Sequence, residues 1–343
     1  MNDRFLRACR REPVDCTPVW FMRQAGRYMK EYQAVRAKHS IIEVCKTPEL
    51  AAQVTLQPIE RFPFDAAIIF ADLLLPLEPM GLLFSFEEGE GPVVHQPIRD
   101  RAAVDRLKVI DGDELSYVAD AIRQARKALA GRVPLIGFAG APFTLASYAI
   151  EGGGSRHYIR TKQLMYREPE VWHRLLDKLA RVVTGYLRRQ IQAGAQAIQL
   201  FDSWVGCLSP GDYEEYVLPH VQLIFDGLKR EAVPMIYFGT GTATLLELMR
   251  KAGGDVLGVD WRVNLDEAWG RIGFDAAIQG NLDPVALFAP AVEIERKIEE
   301  VLKQAGGRPG HIFNLGHGIL PGTPVDHVAA AVELVHRLSR RDE

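Results

Sequence analysis

The chain lacks the features that mark several large classes of protein. It has only four cysteines, Cys9, Cys16, Cys45 and Cys207, and no Cys-x-x-Cys pair. In a chain of 343 residues this scatter reads as reduced thiols in a cytosolic protein, not as a disulfide framework. No apolar run reaches the length of about eighteen residues that a membrane-spanning helix needs. The first residues, Met1-Asn2-Asp3-Arg4-Phe5, show no apolar core like that of a signal peptide, so a cytoplasmic location is expected. Lys and Arg never form a block longer than a pair, and the net charge is only -3. Neither a polybasic membrane patch nor a nucleic-acid-binding face is therefore expected. Any anionic ligand must be met by a local cluster of basic side chains.

Motifs are missing as well. The Gly-x-Gly-x-x-Gly dinucleotide fingerprint does not follow the first strand-like run. None of the histidines sits at a zinc-type spacing such as His-x-Cys or His-Glu-x-x-His, so no metal site is expected. No Ser-x-x-Lys or Gly-x-Ser-x-Gly nucleophile stands out.

What is present is an ordinary globular composition, 48% hydrophobic and 25% charged, with ample length for a large core. Apolar strand-like runs recur at 18–22, 65–70, 133–138, 196–201, 234–238, 255–259, 276–279 and 311–315. Helical spacing fills 170–193, 213–231, 243–252, 291–305 and 325–338, with glycines closing several of these stretches. Continuously apolar strands alternating with helices indicate a parallel sheet covered on both faces. Eight such units predict a (β/α)8 TIM barrel, α/β in class, as a single domain over 1–343. Residues 83–100 break the alternation and read as a short hairpin inserted after the second strand.

In such a barrel the active site is built on the loops after the strands. Residues following the runs are Arg23 and Arg27, Asp72, Tyr148, Asp202-Ser203-Trp204, Gly239-Thr240-Gly241-Thr242, Asp260-Trp261, Gly280-Asn281 and Gly316-His317-Gly318. They contain no lysine of the kind a Schiff-base enzyme needs at the barrel mouth. Arg23 and Arg27 flank Gly26 directly after an apolar run, which suits a loop that binds carboxylates or phosphates bidentately. Asp72 precedes Leu73-Leu74-Leu75-Pro76, an apolar setting in which a carboxylate needs partners; a helix cap is its alternative role. Ser203 reads equally as a turn residue, Tyr148 as a core tyrosine, and His317, between glycines, as ligand-facing. The Gly239–Thr242 turn is a candidate phosphate cradle, and Asp202 and Asp260 are candidates to position the arginines. Together the set suits a large, apolar-cored, polyanionic ligand.

Two segments carry a resemblance. Pro18-Val19-Trp20-Phe21-Met22-Arg23-Gln24-Ala25-Gly26-Arg27-Tyr28 and Gly137-Phe138-Ala139-Gly140-Ala141-Pro142-Phe143-Thr144-Leu145-Ala146-Ser147-Tyr148, with Glu151-Gly152-Gly153-Gly154, closely resemble the signatures of the uroporphyrinogen decarboxylase family. Ile69-Phe70-Ala71-Asp72, Leu200-Phe201-Asp202-Ser203, Gln279-Gly280-Asn281-Leu282-Asp283 and Asn314-Leu315-Gly316-His317-Gly318 extend the resemblance over nearly the whole chain. It departs at Ala71, where many relatives carry serine. The resemblance implies a cytosolic homodimeric barrel enzyme of porphyrin and haem synthesis that needs no cofactor or metal. Its reaction would take uroporphyrinogen III to coproporphyrinogen III, losing CO2 from four acetate side chains. It further implies Arg23, Gln24, Ala25, Gly26, Arg27, Asp72, Tyr148, Ser203 and His317 as substrate-binding positions, with Asp72, Arg23 and Arg27 as the catalytic set. Asp72 would stabilise a protonated pyrrole ring, and one of the arginines is a candidate to help deliver the proton. No residue is assigned as general acid on this basis. Two rivals are a corrinoid-dependent methyltransferase of the same fold and a tetrapyrrole carrier without catalysis.

Overall fold

The computed structural model describes residues 2–87 and 91–341. Among the described residues nine strands are present: β1 (Ala67–Ile68), β2 (Phe84–Glu87), β3 (Gly91–Val94), β4 (Leu135–Gly140), β5 (Ala197–Asp202), β6 (Met235–Gly239), β7 (Val256–Gly258), β8 (Ala277–Leu282) and β9 (His311–Leu315). Seven of them form one curled sheet in the order β1-β4-β5-β6-β7-β8-β9, every neighbouring pair parallel. β4, β8 and β9 are buried at every position, as strands covered on both faces must be.

The remaining barrel position is held by the first apolar run. Val19 bridges Phe313 in parallel, the Phe313 N–H donates to Pro18 O at 2.8 Å, and the Asp65 N–H donates to Val19 O at 2.9 Å. These bonds set the segment between β9 and the start of β1 and close the ring. The run expected over 18–22 is thus a bridge instead of a ladder strand. The reason is local: the Phe21 N–H donates to Gln24 Oε1 and the Met22 N–H to Asn314 Oδ1, both at 3.2 Å. Side chains take the donors that a longer ladder would need.

The helical expectations hold with one break. Ala291–Ala305 and Val325–Leu338 match the periodicity, and Pro169–Ala193 ends at Gly194 with φ 117°. The stretch 213–231 is divided into Pro210–Tyr216, Leu218–Leu228 and a 3-10 turn Lys229–Glu231. Pro219 has no N–H to offer a preceding turn and so sits in the first turn of a new helix. Likewise 243–252 shortens to Leu246–Ala252. The expected insertion is the antiparallel pair β2–β3, with Phe84 opposite Val94 and Glu87 opposite Gly91. Residues 88–90, between the two strands in sequence, lie outside the described residues. A contiguous apolar core runs from Phe5 to Val335. Among the described residues no helix is long and apolar enough to cross a membrane.

Candidate active site

The C-terminal ends of the barrel strands surround a cavity of about 1050 Å³, open mouth included. Its floor is aromatic. Phe138, Phe201 and Phe238, from β4, β5 and β6, meet edge to face with ring centres 5.5 and 5.9 Å apart. Ile68 and Met22 continue this apolar surface, and Phe86 and Pro92 of the hairpin form one wall. The sequence reading did not single out these lining residues. Their signal is only that they lie one or two turns of the pleat below the polar strand ends.

Of the expected site residues, Arg23, Ala25, Asp72, Tyr148, Ser203 and His317 line this cavity. Gln24, Gly26 and Arg27 do not. Gln24 is fully buried and turned into the fold: its Oε1 accepts from the Phe21 N–H, its Nε2 donates to Ala66 O at 3.0 Å, and its carbonyl accepts the Tyr28 hydroxyl at 2.7 Å. It anchors the arginine loop from beneath. Gly26 is needed for space, since a Cβ there would lie 2.9 Å from Arg23 O. Arg27 is exposed outside the cavity.

Arg23 has φ 60°, a left-handed conformation unusual for a side chain of this size. Such local strain persists where the surroundings impose it, commonly at ligand sites. Here the Gln24 contacts do so on one side and Gly318 on the other. A Cβ on Gly318 would come within 2.5 Å of Arg23 Cδ, so the missing side chain is the channel for the arginine stem. Gly316 is excluded from carrying a side chain in the same way, by the Trp261 N–H at 2.6 Å. His317 is held between two glycines that give way to its neighbours.

Asp72 is half-buried, and its Oδ1 accepts the Leu74 N–H at 2.9 Å. The capping role weighed from the sequence is therefore met by a turn contact, with one oxygen. Among the described residues the other oxygen has no hydrogen-bond partner. Burial pushes the Asp72 carboxyl above its ordinary range, opposed by the Leu74 N–H and by the charge of Arg23. Burial, then the Asp72 charge, raises the Tyr148 phenol, while a hydrogen bond with Trp204 works the other way. Burial also lowers the His317 imidazole, and Arg23 adds to the effect. Four groups, three from loops and Tyr148 from helix Pro142–Glu151, thus share one electrostatic environment. Neither Arg23 nor Arg27 has a carboxylate within ion-pair distance among the described residues, so both guanidiniums are open to an anionic ligand.

Three sequence expectations are corrected. Asp202 positions no arginine: its oxygens accept from Thr144 Oγ1 at 2.7 Å and the Tyr237 hydroxyl at 2.9 Å. Asp260 pairs with Arg262, which stacks over Trp261, and not with Arg23 or Arg27. The Gly239–Thr242 turn is no phosphate cradle, because the Gly241 N–H donates to Asp260 Oδ2 and the Thr240 hydroxyl to Ser203 O. Among the described residues no group of three or more His, Cys, Asp or Glu could hold a metal ion.

The family described as uroporphyrinogen decarboxylase matches residues 1–338. The uroporphyrinogen decarboxylase of Sorangium cellulosum is 62% identical over 341 residues, covering 99% of this chain and 97% of that protein. That of Carboxydothermus hydrogenoformans is 59% identical over 340 residues, with 99% and 97% covered. The chain belongs to the uroporphyrinogen decarboxylase family. It is a decarboxylase on that ground, and the cavity just described is the candidate active site of a member of that family. A solved methyltransferase from Methanosarcina mazei superposes with a TM-score of 0.81 over 98% of both chains, at 22% identity. That likeness concerns the barrel fold and not the reaction.

Proposed function

We propose that the chain converts uroporphyrinogen III to coproporphyrinogen III, replacing each of four acetate carboxylates by a proton. The observation that carries this reading is Asp72: a half-buried carboxylate with one oxygen free among the described residues, above an apolar floor, in the same cavity as an Arg23 that has no ion-pair partner there. An acetate on a pyrrole can lose CO2 only if the bonding electrons have somewhere to go. Protonation of a ring carbon makes that sink. The bond to the carboxylate then breaks, its electron pair enters the ring, and CO2 leaves. The exocyclic carbon next takes up a proton to become methyl, and the ring carbon gives its own proton back. One proton is consumed for each CO2 released.

The cationic ring is the species that needs stabilisation. Asp72, ionised, accepts hydrogen bonds from the pyrrole N–H groups and opposes the ring charge from a fixed position. Arg23 and Arg27 bind carboxylates of the substrate, with Ala25 and Gly26 in the same loop and Gln24 beneath it. Tyr148, Ser203 and His317 orient carboxylates around the cavity. The phenylalanine floor excludes water, which strengthens every charge interaction above it. On this reading the enzyme works without metal or cofactor, as a cytoplasmic homodimer of single-domain barrels.

The test is anaerobic turnover of enzymatically generated uroporphyrinogen III by the metal-stripped protein, with Asp72→Asn beside it. Coproporphyrinogen from the wild type is expected, with the variant slower by on the order of 100- to 1000-fold while still binding substrate. Stripped wild type that is inactive until zinc or a corrinoid is added would sink the reading. So would undiminished turnover by Asp72→Asn.

A further inference from the structure

Helix Pro142–Glu151 separates two cavities. Tyr148 lines the one described above, and Ile150 lines a second of about 640 Å³, mouth included. Two residues along a helix turn through about 200°, so the cavities lie on opposite faces of it. The second is basic: Arg99, Arg160 and Arg167 line it with Gln163, against one carboxylate, Glu168. Arg99 is fixed by donating to the carbonyls of Ile98 and Ile150 through Nη1, leaving its other N–H groups free. Among the described residues none of the three arginines forms an ion pair. The nearby Glu151 favours Arg99 by its charge but pairs with none of the three among the described residues, its Oε1 accepting the Thr161 N–H and hydroxyl at 2.8 and 2.9 Å. Residues 152–167 contain Arg156, Arg160, Lys162 and Arg167 and no Asp or Glu, in a chain whose net charge is -3.

Like charges do not gather in a concave site at no cost. All three arginines are exposed residues, and desolvation, then the Arg160 charge, disfavours the charged form of Arg99 while the Glu151 charge favours it. An anion between the guanidiniums removes that cost and satisfies their planar donors. We propose that this cleft is an oxyanion site, separate from the decarboxylation cavity, for a small phosphate- or polycarboxylate-bearing molecule. It lies against the helix that carries Tyr148, which makes that helix the route by which occupancy would be felt in the main cavity.

The test reads binding and not turnover, so it stands or falls apart from the decarboxylase reading. Thermal unfolding of the full chain is followed in inorganic phosphate, in citrate, and in chloride at equal ionic strength. A saturable rise in Tm of about 2 °C above chloride is expected. It should persist in Arg23→Gln/Arg27→Gln and vanish in Arg160→Gln/Arg167→Gln. A rise with phosphate alone identifies a phosphate site, and a rise with citrate alone a polycarboxylate site; both together mean that the cleft reads charge. The proposal fails if neither anion exceeds chloride, if the rise survives loss of Arg160 and Arg167, or if it is lost with Arg23 and Arg27. Calorimetric titration of the single variants Arg160→Gln and Arg167→Gln gives an independent reading, with affinity reduced about tenfold in each. Unchanged affinity in both overturns the site.

Discussion

Gly318 belongs to the arginine loop as much as Arg23 does. The two are distant in the chain, and the stem of Arg23 passes through the space where a side chain on Gly318 would be. Gly318→Ala should therefore displace the guanidinium without disturbing the barrel. A shift near 1 Å in a positioning group is enough to cost up to about 100-fold. We expect KM to rise with helical circular dichroism unchanged; a wild-type KM would show that Arg23 has room to spare. This pairing marks a limit of what the sequence made legible. Gly-His-Gly announced a ligand-facing histidine, and two arginines after an apolar run announced an anion loop. The left-handed turn at Arg23 and the inward Gln24 did not show, because both depend on partners brought in by other strands, Ala66 and Gly318. Asp202 misled for the same reason. Its neighbour Ser203 faces the cavity, but its own carboxylate faces Thr144 and Tyr237.

At the scale of elements, that carboxylate couples β5 to β6 and to helix Pro142–Glu151. Tyr237 on β6 passes the chain of bonds on to Tyr213, whose hydroxyl is 3.1 Å away. Burial, against the donors Thr144 and Tyr237, pushes Asp202 from its ordinary value of 3.8 up to about 6. The folded protein thus keeps this proton to a higher pH than the unfolded chain does. Its contribution to stability is complete below the ordinary value and is lost as pH rises through about 6. Denaturant unfolding of wild type and Asp202→Asn from pH 4 to 7 should show the difference between them moving against wild type. The change is on the order of 3 kcal/mol. A difference that does not vary with pH would mean that Asp202 titrates normally. Elements were the most legible level of this chain. Strand runs and long helices follow apolar spacing, and the one divided helix is divided at a proline. The exceptions are the run 65–70, which keeps only Ala67–Ile68 as ladder while the Phe70 N–H donates to Thr55, and the run 18–22, where two side chains took over backbone donors that spacing alone had assigned to a strand.

The whole barrel is tied at its other end by Asp65. This fully buried carboxylate accepts from Asn2, from Arg4 at 2.6 Å, from the Val19 N–H at 2.8 Å and from His336 at 2.7 Å. It joins the first helix, the closing segment, the approach to β1 and the last helix. Asp65→Asn leaves Arg4 without its buried partner and turns one acceptor into a donor facing donors. Breaking a buried pair in this way costs roughly 3–5 kcal/mol, to be read from chemical unfolding midpoints. A loss under about 1 kcal/mol would mean that the ring closes by packing alone.

The same closure sets an order of events during synthesis. The Met22 N–H, just before Arg23, waits for Asn314, 292 residues later in the chain. Val19 can bond early to Asp65 at the approach to β1, but its other neighbour, Phe313, is made much later. A nascent chain can build β1 to β8 as an open sheet and seat Gln24 against Ala66, but the Arg23 stem is not held until Asn314 and Gly318 arrive. Contacts of such long span form late, after their loop-closure entropy has been met. Binding competence therefore comes late: a chain one strand short carries Asp72, Tyr148 and Ser203 but lacks His317 and the contacts that place Arg23.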